Sequence, residues 1–587
     1  MNNSLGDYIL DRTESIKEDL ILEYFIERND DKINRLLDSE QYLLEGSRGV
    51  GKTMLMKTAM LRSLKDFGKN SVLPVWISFE ESIRLERIVI IDNTIDPFLQ
   101  WTMGKILDET LKTILKIKPD CINKLNDRLS NIFGINITDN SSEYSKLLNE
   151  YIKVLEKAEI KDSDELKNHI PSKELANILD NPQSFKDFLL KLVDDFSLSR
   201  IVFLFDEAAH VFSHPQQEKF FTFFKSLRDP RIACKAAVYP GITNYGKYFE
   251  RGQDAKEIQI NWSPLDVNDI EFIKKILKKR IQLFNAKYWE KLTLDKDIID
   301  TICICSNGNP RFAFHIVDEI ENSKAFQTKI SKQVLINSIR TVFSTKWKEF
   351  DTLKQRLIRY NQHITEAEFL MKETVIPNLR IWNDKRRADK RKLSIGIYIS
   401  TKSYDSLEKV FSVLDYSNIL SIDHSKKSLG HHVYGYYVTI NPSIIFTDLI
   451  LKGINELKDT SIAIENNQAY YETSVVIKDL ILNMSNVDEY NCSNSTCDFK
   501  TVQDFYKFCP KCGSQIKKEE EISMYKILRS HSIDSIKLSK KIISRLSGKF
   551  NNVGEIYDAE LEDIKMKYIK EVRVELIKNA VIEYMAG

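Results

Sequence analysis

Residues 41–53 read QYLLEGSRGVGKT and residues 201–207 read IVFLFDE, and these two stretches decide the fold. In the first, a short apolar strand runs into GSRGVGKT, Gly46 to Thr53, and then into an amphipathic helix, MLMKTAMLRSLKDF. The loop fills every fixed position of G-x-x-x-x-G-K-[S/T], in the strand–loop–helix context that a phosphate loop requires. Gly46, Gly49 and Gly51 allow torsions that turn backbone N–H groups around phosphate oxygens, with Ser47, Arg48 and Val50 between them. Lys52 can set its ammonium on the β- and γ-phosphates, and the Thr53 hydroxyl can ligate Mg²⁺. The helix that follows adds the positive end of its dipole.

The second stretch is an unbroken apolar run with β-branched and aromatic residues, which is how a strand buried on both faces of a parallel sheet reads. It ends in Asp206 and Glu207. Carboxylates at the C-terminal end of such a strand sit beside the phosphate loop. Asp206 is expected to hold Mg²⁺ through its water shell, and Glu207 to orient and deprotonate an attacking water. GNPR (308–311) places Arg311 at the start of a helix, from where it can reach the γ-phosphate. The strand CKAAVYPGITNYG ends in polar residues, so Thr243 or Asn244 is expected to sense that phosphate. Arg228 and Arg231 read either as trans-acting arginine fingers or as a solvated basic loop.

Composition bounds the rest. The 587 residues carry 86 Lys+Arg against 85 Asp+Glu, a net charge of +1. That balance excludes a globally basic nucleic-acid coat and an acidic solvating tail, so any DNA affinity must be local. With 42% hydrophobic and 29% charged residues, the chain has real cores and is not wholesale disordered. The N-terminus lacks a basic-then-apolar secretory pattern, and no apolar stretch is long enough to span a bilayer. A cytoplasmic protein with no membrane contact is expected.

GSRGVGKT, FLFDE, the polar strand end at YPGITN and the GNPR helix, in this order, resemble the AAA+ ATPases of the origin-recognition/initiator clade and the related STAND signalling ATPases. The resemblance covers about 20–340. It implies an α/β class with a P-loop αβα ATPase core, an all-α lid, ATP-dependent homo-oligomerisation and DNA- or partner-binding modules behind. The stretch from Thr53 to Asp206, about 150 residues, exceeds what such a core needs. Residues 95–190 therefore read as a helical insertion, a candidate surface for a protein partner.

Four of the eight cysteines fall within 21 residues: Cys492, Cys497, Cys509 and Cys512, as C-x4-C and C-x2-C pairs. Two thiolate pairs on short turns suit tetrahedral Zn²⁺, and four cysteine ligands leave no open position, so the metal is structural. The pattern resembles a zinc ribbon, which binds DNA or only proteins. Cys303 and Cys305 have no second pair and read as core thiols.

Residues 385–442 hold ten Lys/Arg and five Asp/Glu, with His424, His431 and His432. A basic run, a helix and a basic hairpin around Ser428, Leu429 and Gly430 read as a winged-helix-like module. Helix residues would enter the major groove, while Lys426 and Lys427 would contact phosphate; the alternative is a solvated face. Tyr434, Tyr436 and Tyr437 fit either a contact surface or a packed strand. The tail resembles helix-hairpin-helix domains, but Lys570 and Glu571 stand where that family has glycine, leaving DNA and protein docking both open.

The expected organisation is thus an ATPase core (1–265), a lid (266–345), a winged-helix-like module (346–450), a linker and zinc ribbon (451–520) and a helical tail (521–587). Function reads as ATP hydrolysis that controls binding to DNA or a DNA-associated partner, with ATP, Mg²⁺ and Zn²⁺ as cofactors. The alternative is a STAND-like signalling or antiviral-defence switch triggered by a protein.

Overall fold

The computed structural model describes residues 5, 13, 16–28, 31–79, 96–134, 142–157, 170, 172–208, 214–264, 266–326, 329–356, 360–430, 433–457, 460, 470–472, 477, 489–492, 497, 499–501, 508–519, 532–536, 538, 540–566 and 568–586. The chain forms two compact units, and the first (1–345) also takes in 415–419 and 441–447.

Five strands build the first unit's sheet: β1 (Tyr42–Glu45), β2 (Val72–Ser78), β3 (Arg200–Asp206), β4 (Ile232–Val238) and β5 (Lys256–Gln259). All pairings are parallel, in the order β2-β3-β4-β1-β5. Every residue of β4, and all of β3 after Arg200, is buried, which explains their continuous apolar reading. This is the P-loop αβα arrangement. Its order places β1 and β3 on either side of β4, with their carboxyl ends at the same edge.

Helix α1 (Glu18–Tyr24) precedes β1, and α2 (Lys52–Lys65) follows it directly. On one side, α2 packs Met56, Ala59 and Met60 against Leu44, Val202, Leu204 and Ala237 of the strands. An aromatic cluster fills the other side: Phe205 stacks on Phe79 at 5.8 Å and meets Phe220 edge-on at 5.2 Å. Rings at these separations gain quadrupole complementarity beyond their burial.

Between β2 and β3 the chain runs through α3 (Pro97–Ile117), α4 (Ile122–Phe133), α5 (Ser142–Lys157), α6 (Lys173–Ile178) and α7 (Pro182–Asp195). The caps follow local chemistry. Asp96 accepts from the Phe98 and Leu99 amides ahead of Pro97, and Asn181 accepts from Ser184 ahead of Pro182. Beyond the sheet come α8 (Val267–Phe284), α9 (Lys296–Cys305) and α10 (Pro310–Asn322). Cys303 and Cys305 are buried in α9.

The second unit contains α11 (Ile376–Ala388), β6 (Gly396–Ser400), α12 (Thr401–Ser406), α13 (Glu408–Tyr416, whose last two residues belong to the first unit), β7 (Leu420–Gly430) and β8 (Val433–Ile440). β8 pairs antiparallel with both β6 and β7. Helix, strand, two helices and a hairpin in this order make a winged-helix topology. Ser428 to Gly430, read from sequence as the turn between two strands, instead extend β7, and His431 and His432 lie outside the described residues. Much of the basic run 385–392 is the last turn of α11, where Lys385, Arg386 and Arg387 complement the helix dipole.

Strands Glu489–Cys492, Lys500–Thr501 and Ile516–Glu519 form a separate antiparallel sheet. The tail packs its own core from Ile533 to Val581. No described helix is long and apolar enough to cross a membrane.

Candidate functional site

Gly46 to Thr53 wraps from the end of β1 to the start of α2, and each flank of the loop is held by a specific side chain. Trp262 donates its indole N–H to the Val50 carbonyl at 3.0 Å. Asn309, from GNPR, donates its amide to the Arg48 carbonyl at 2.7 Å. The same Asn309 side chain caps α10 by accepting from the Phe312 amide. Gly49 has φ +89°, and a Cβ there would lie 2.7 Å from the Asn309 amide oxygen, so this position needs glycine for both torsion and space.

Lys52 is buried, and its ammonium donates to the Gly46 and Ser47 carbonyls. It also lies 3.9 Å from the centre of the Tyr239 ring, at the end of β4. Burial pulls its pKa down from 10.5 to about 7, against the opposing pull of Glu207, Asp206 and Glu45; Arg311, close enough for its charge to act, lowers it further. Thr53 donates its hydroxyl to Asp206 at 2.9 Å. Asp206 is buried and accepts the Glu207 amide through its other oxygen. Glu207 itself holds φ +60°, a left-handed backbone rarely adopted by non-glycine residues and characteristic of sites where surrounding structure overrules local preference.

Lys52, Thr53, Asp206, Glu207 and Arg311 are therefore brought to one edge of the sheet. The hydroxyl–carboxylate pair of Thr53 and Asp206 is a donor set of hard oxygens that fits Mg²⁺. Thr243 is placed differently from the sequence expectation: its hydroxyl exchanges hydrogen bonds with the Tyr239 backbone, both at 3.0 Å, and so closes the turn after β4. The Asn244 amide donates to Gln217, and its side-chain oxygen accepts from Gly246. Tyr239, which the sequence does not single out, faces Lys52. Arg231 pairs with Asp194 at 2.9 Å, and Arg228 donates to the Gln253 carbonyl, which is how residues of a surface loop are engaged.

Beside the loop opens a cleft lined by segments 24–28 and 31–34, the loop glycines Gly49 and Gly51, Trp262, Phe272, Arg280 and Arg311. Aromatic and charged side chains share its walls, with Arg28 lying 4.8 Å over Trp262 and Arg280 3.8 Å over Tyr24. Aromatic side chains next to a phosphate cradle suit a nucleoside. No local pattern in the N-terminal segment signals that folding sets Tyr24 to Arg28 and Asp31 to Asn34 beside the loop.

In the second unit, the Cys492, Cys497, Cys509 and Cys512 sulfurs lie within 4.8 Å of one another. Four sulfurs about 2.3 Å from one Zn²⁺ stand about 3.8 Å apart, so this cluster fits the tetrahedral ion. The CPKCG turn presents its thiols as the sequence suggests: the Lys511 amide donates to the Cys509 sulfur, and Gly513 takes φ +72°. In the hairpin module, Tyr436 packs on Tyr404 at 4.9 Å and Tyr437 on Tyr398 at 5.3 Å, while Tyr434 is half exposed. Arg387 is tied to Glu456 at 2.8 Å and Lys427 to Asp423 at 3.4 Å, so part of the basic charge is neutralised within the second unit.

The sheet order, the loop and the carboxylate pair define the class: a P-loop α/β protein. No protein-family model matches the chain, and no curated protein matches it. Among solved structures, the chain is similar to the ORC1 protein of Aeropyrum pernix in complex with DNA, with 9% identity over 76% of this chain and 98% of that one, at a TM-score of 0.26. It is also similar to the Aeropyrum pernix ORC2 protein in its ADPNP–ADP complexes, with 10% identity over 77% of this chain and 95% of that one, at a TM-score of 0.27.

Proposed function

We propose that this protein is an ATP-binding and ATP-hydrolysing switch of the AAA+ type whose nucleotide state controls engagement of DNA or a DNA-associated partner. The observation that carries the reading is the bond between Thr53 and Asp206, with Glu207 close enough for its charge to act on Lys52. In this reading the loop amides and Lys52 hold the phosphates, and the cleft beside Trp262 and Phe272 takes the base. Thr53 and Asp206 hold Mg²⁺, which when bound neutralises charge developing on the phosphates. Glu207 accepts a proton from water aligned behind the terminal phosphate, and Arg311 reads that phosphate from the start of α10.

DNA engagement rests on the winged-helix topology of residues 376–440 and its basic surface, with Lys426 on the hairpin. The four-cysteine ribbon, holding Zn²⁺, staples the small sheet around Cys492. The test is Glu207→Gln in the full chain. Retention of ATP with turnover reduced at least about a hundredfold is expected. Unchanged turnover removes Glu207 as the base, and turnover that is indifferent to duplex DNA and to every associated protein removes the switch.

A further inference from the structure

Residues 415–419 pack on the phosphate loop within the first unit, and the nucleotide reading above leaves them without a role. Ser47 donates its hydroxyl to the Asp415 carboxylate at 3.2 Å. The Arg48 amide donates to the Tyr416 carbonyl at 3.3 Å. The Tyr416 ring meets Tyr239 edge-on at 5.0 Å, and it is the face of Tyr239 that carries the Lys52 ammonium. The other end of the segment is anchored too: Asn307 donates to the Asn418 side chain at 2.8 Å, and Asn418 donates to the Ser306 carbonyl at 3.2 Å. Ser306 and Asn307 belong to the turn that leads into GNPR, so this second anchor ties the segment to the start of α10.

These contacts identify which end of a nucleotide the segment faces. A phosphate-loop lysine serves the β- and γ-phosphates. Here Lys52 reaches the carbonyl of Ser47, the residue whose hydroxyl Asp415 holds, so Asp415 lies at the terminal-phosphate end of the loop. Resting on the nucleotide reading, we infer that residues 415–419 are a strap that reports the terminal phosphate: engaged with a diphosphate, released with a triphosphate. Asp415 is only 8% exposed, and a carboxylate there competes with the terminal phosphate for the one Lys52 ammonium. Two anions sharing a cation out of water repel strongly, and a diphosphate does not bring the second charge. Lys52 must also leave the Ser47 carbonyl to reach the phosphate, which loosens the loop that the strap grips. Asp415 acts through Ser47 and Lys52 and is a positioning residue.

The experiment uses the full chain with Mg²⁺, titrated at about pH 8 with ADP and with a non-hydrolysable ATP analogue. Asp415→Asn keeps a hydrogen-bond acceptor and removes the charge, and is expected to raise triphosphate affinity relative to diphosphate by about threefold or more. In the unmodified chain, exchange of the Asn418 amide, which donates to the Asp415 carbonyl, is expected to be about tenfold faster with the ATP analogue than with ADP. A merely structural role would weaken both nucleotides alike in Asp415→Asn, and that outcome overturns the strap. Equal Asn418 exchange with both bound nucleotides overturns it as well. Failure of the unmodified chain to bind either nucleotide is a different result: it removes the nucleotide reading, and the strap with it.

Discussion

Asn309 performs two jobs with one side chain, and substitution can separate them. Its oxygen caps α10 and its amide bridges to the Arg48 carbonyl of the phosphate loop. Loss of a helix cap costs about 1 kcal/mol, and a buried hydrogen bond contributes about as much. Asn309→Ala removes both, so unfolding of the first unit should ease by about 2 kcal/mol. Asn309→Ser keeps a good cap but is too short to bridge, and should cost about 1 kcal/mol. If the bridge holds the loop in its phosphate-binding shape, both variants must restore that shape on binding and lose roughly fivefold in nucleotide affinity, the equivalent of about 1 kcal/mol. Denaturant titration gives the first quantity and nucleotide titration the second. An Asn309→Ser chain that binds nucleotide like the unmodified one, beside an Asn309→Ala chain that does not, would refute the bridge and leave only the cap.

Three further outcomes are expected. Purified full chain should carry about one zinc, and Cys509→Ser should lose it with ATP turnover unchanged, as metal analysis beside a turnover assay will reveal. Affinity for duplex DNA should fall linearly on a log–log plot against salt, and removing Lys426 and Lys427 together should flatten the slope by about two charges; a slope insensitive to both counts against the hairpin as a DNA contact. Burial raises the Asp415 pKa from 3.8 to about 7, so the folded state binds more protons than the unfolded one in that window. The resulting stability is full below the lower value and is lost as pH rises through the upper one, and Asp415→Asn should flatten that decline in melting curves.

The parts of this site that were legible in sequence are those whose chemistry is local. A phosphate loop is contiguous, so its glycines, Lys52 and Thr53 announce themselves, and a buried parallel strand ending in acid announces Asp206 and Glu207. The thiol pairs of the ribbon are legible for the same reason. In GNPR the charge of Arg311 is what the sequence displays, while the bond from Asn309 to the loop, two residues earlier, is not legible there. Thr243 looked available because it is polar, but its hydroxyl closes a turn and Tyr239 stands at the lysine instead. Asp415 lies within the basic stretch 385–442, and no local pattern discloses that a residue 368 positions from Ser47 rests against it. Such contacts depend on tertiary placement, which short-range periodicity does not encode.

The position of the helices between β2 and β3 has a kinetic consequence. Among the described residues, β2 pairs only with β3, and β1 only with β4 and β5, so the first two strands to leave the ribosome have no partner in each other. About 120 residues separate the end of β2 from the start of β3. At a synthesis rate on the order of 10 residues per second, β2 waits roughly 10 seconds for β3, and β1 roughly 20 seconds for β4, with their edges open. Early docking of α2 and of α3 against β2 would cover its apolar side chains during that wait, which makes the insertion a participant in cotranslational assembly of the sheet that it interrupts.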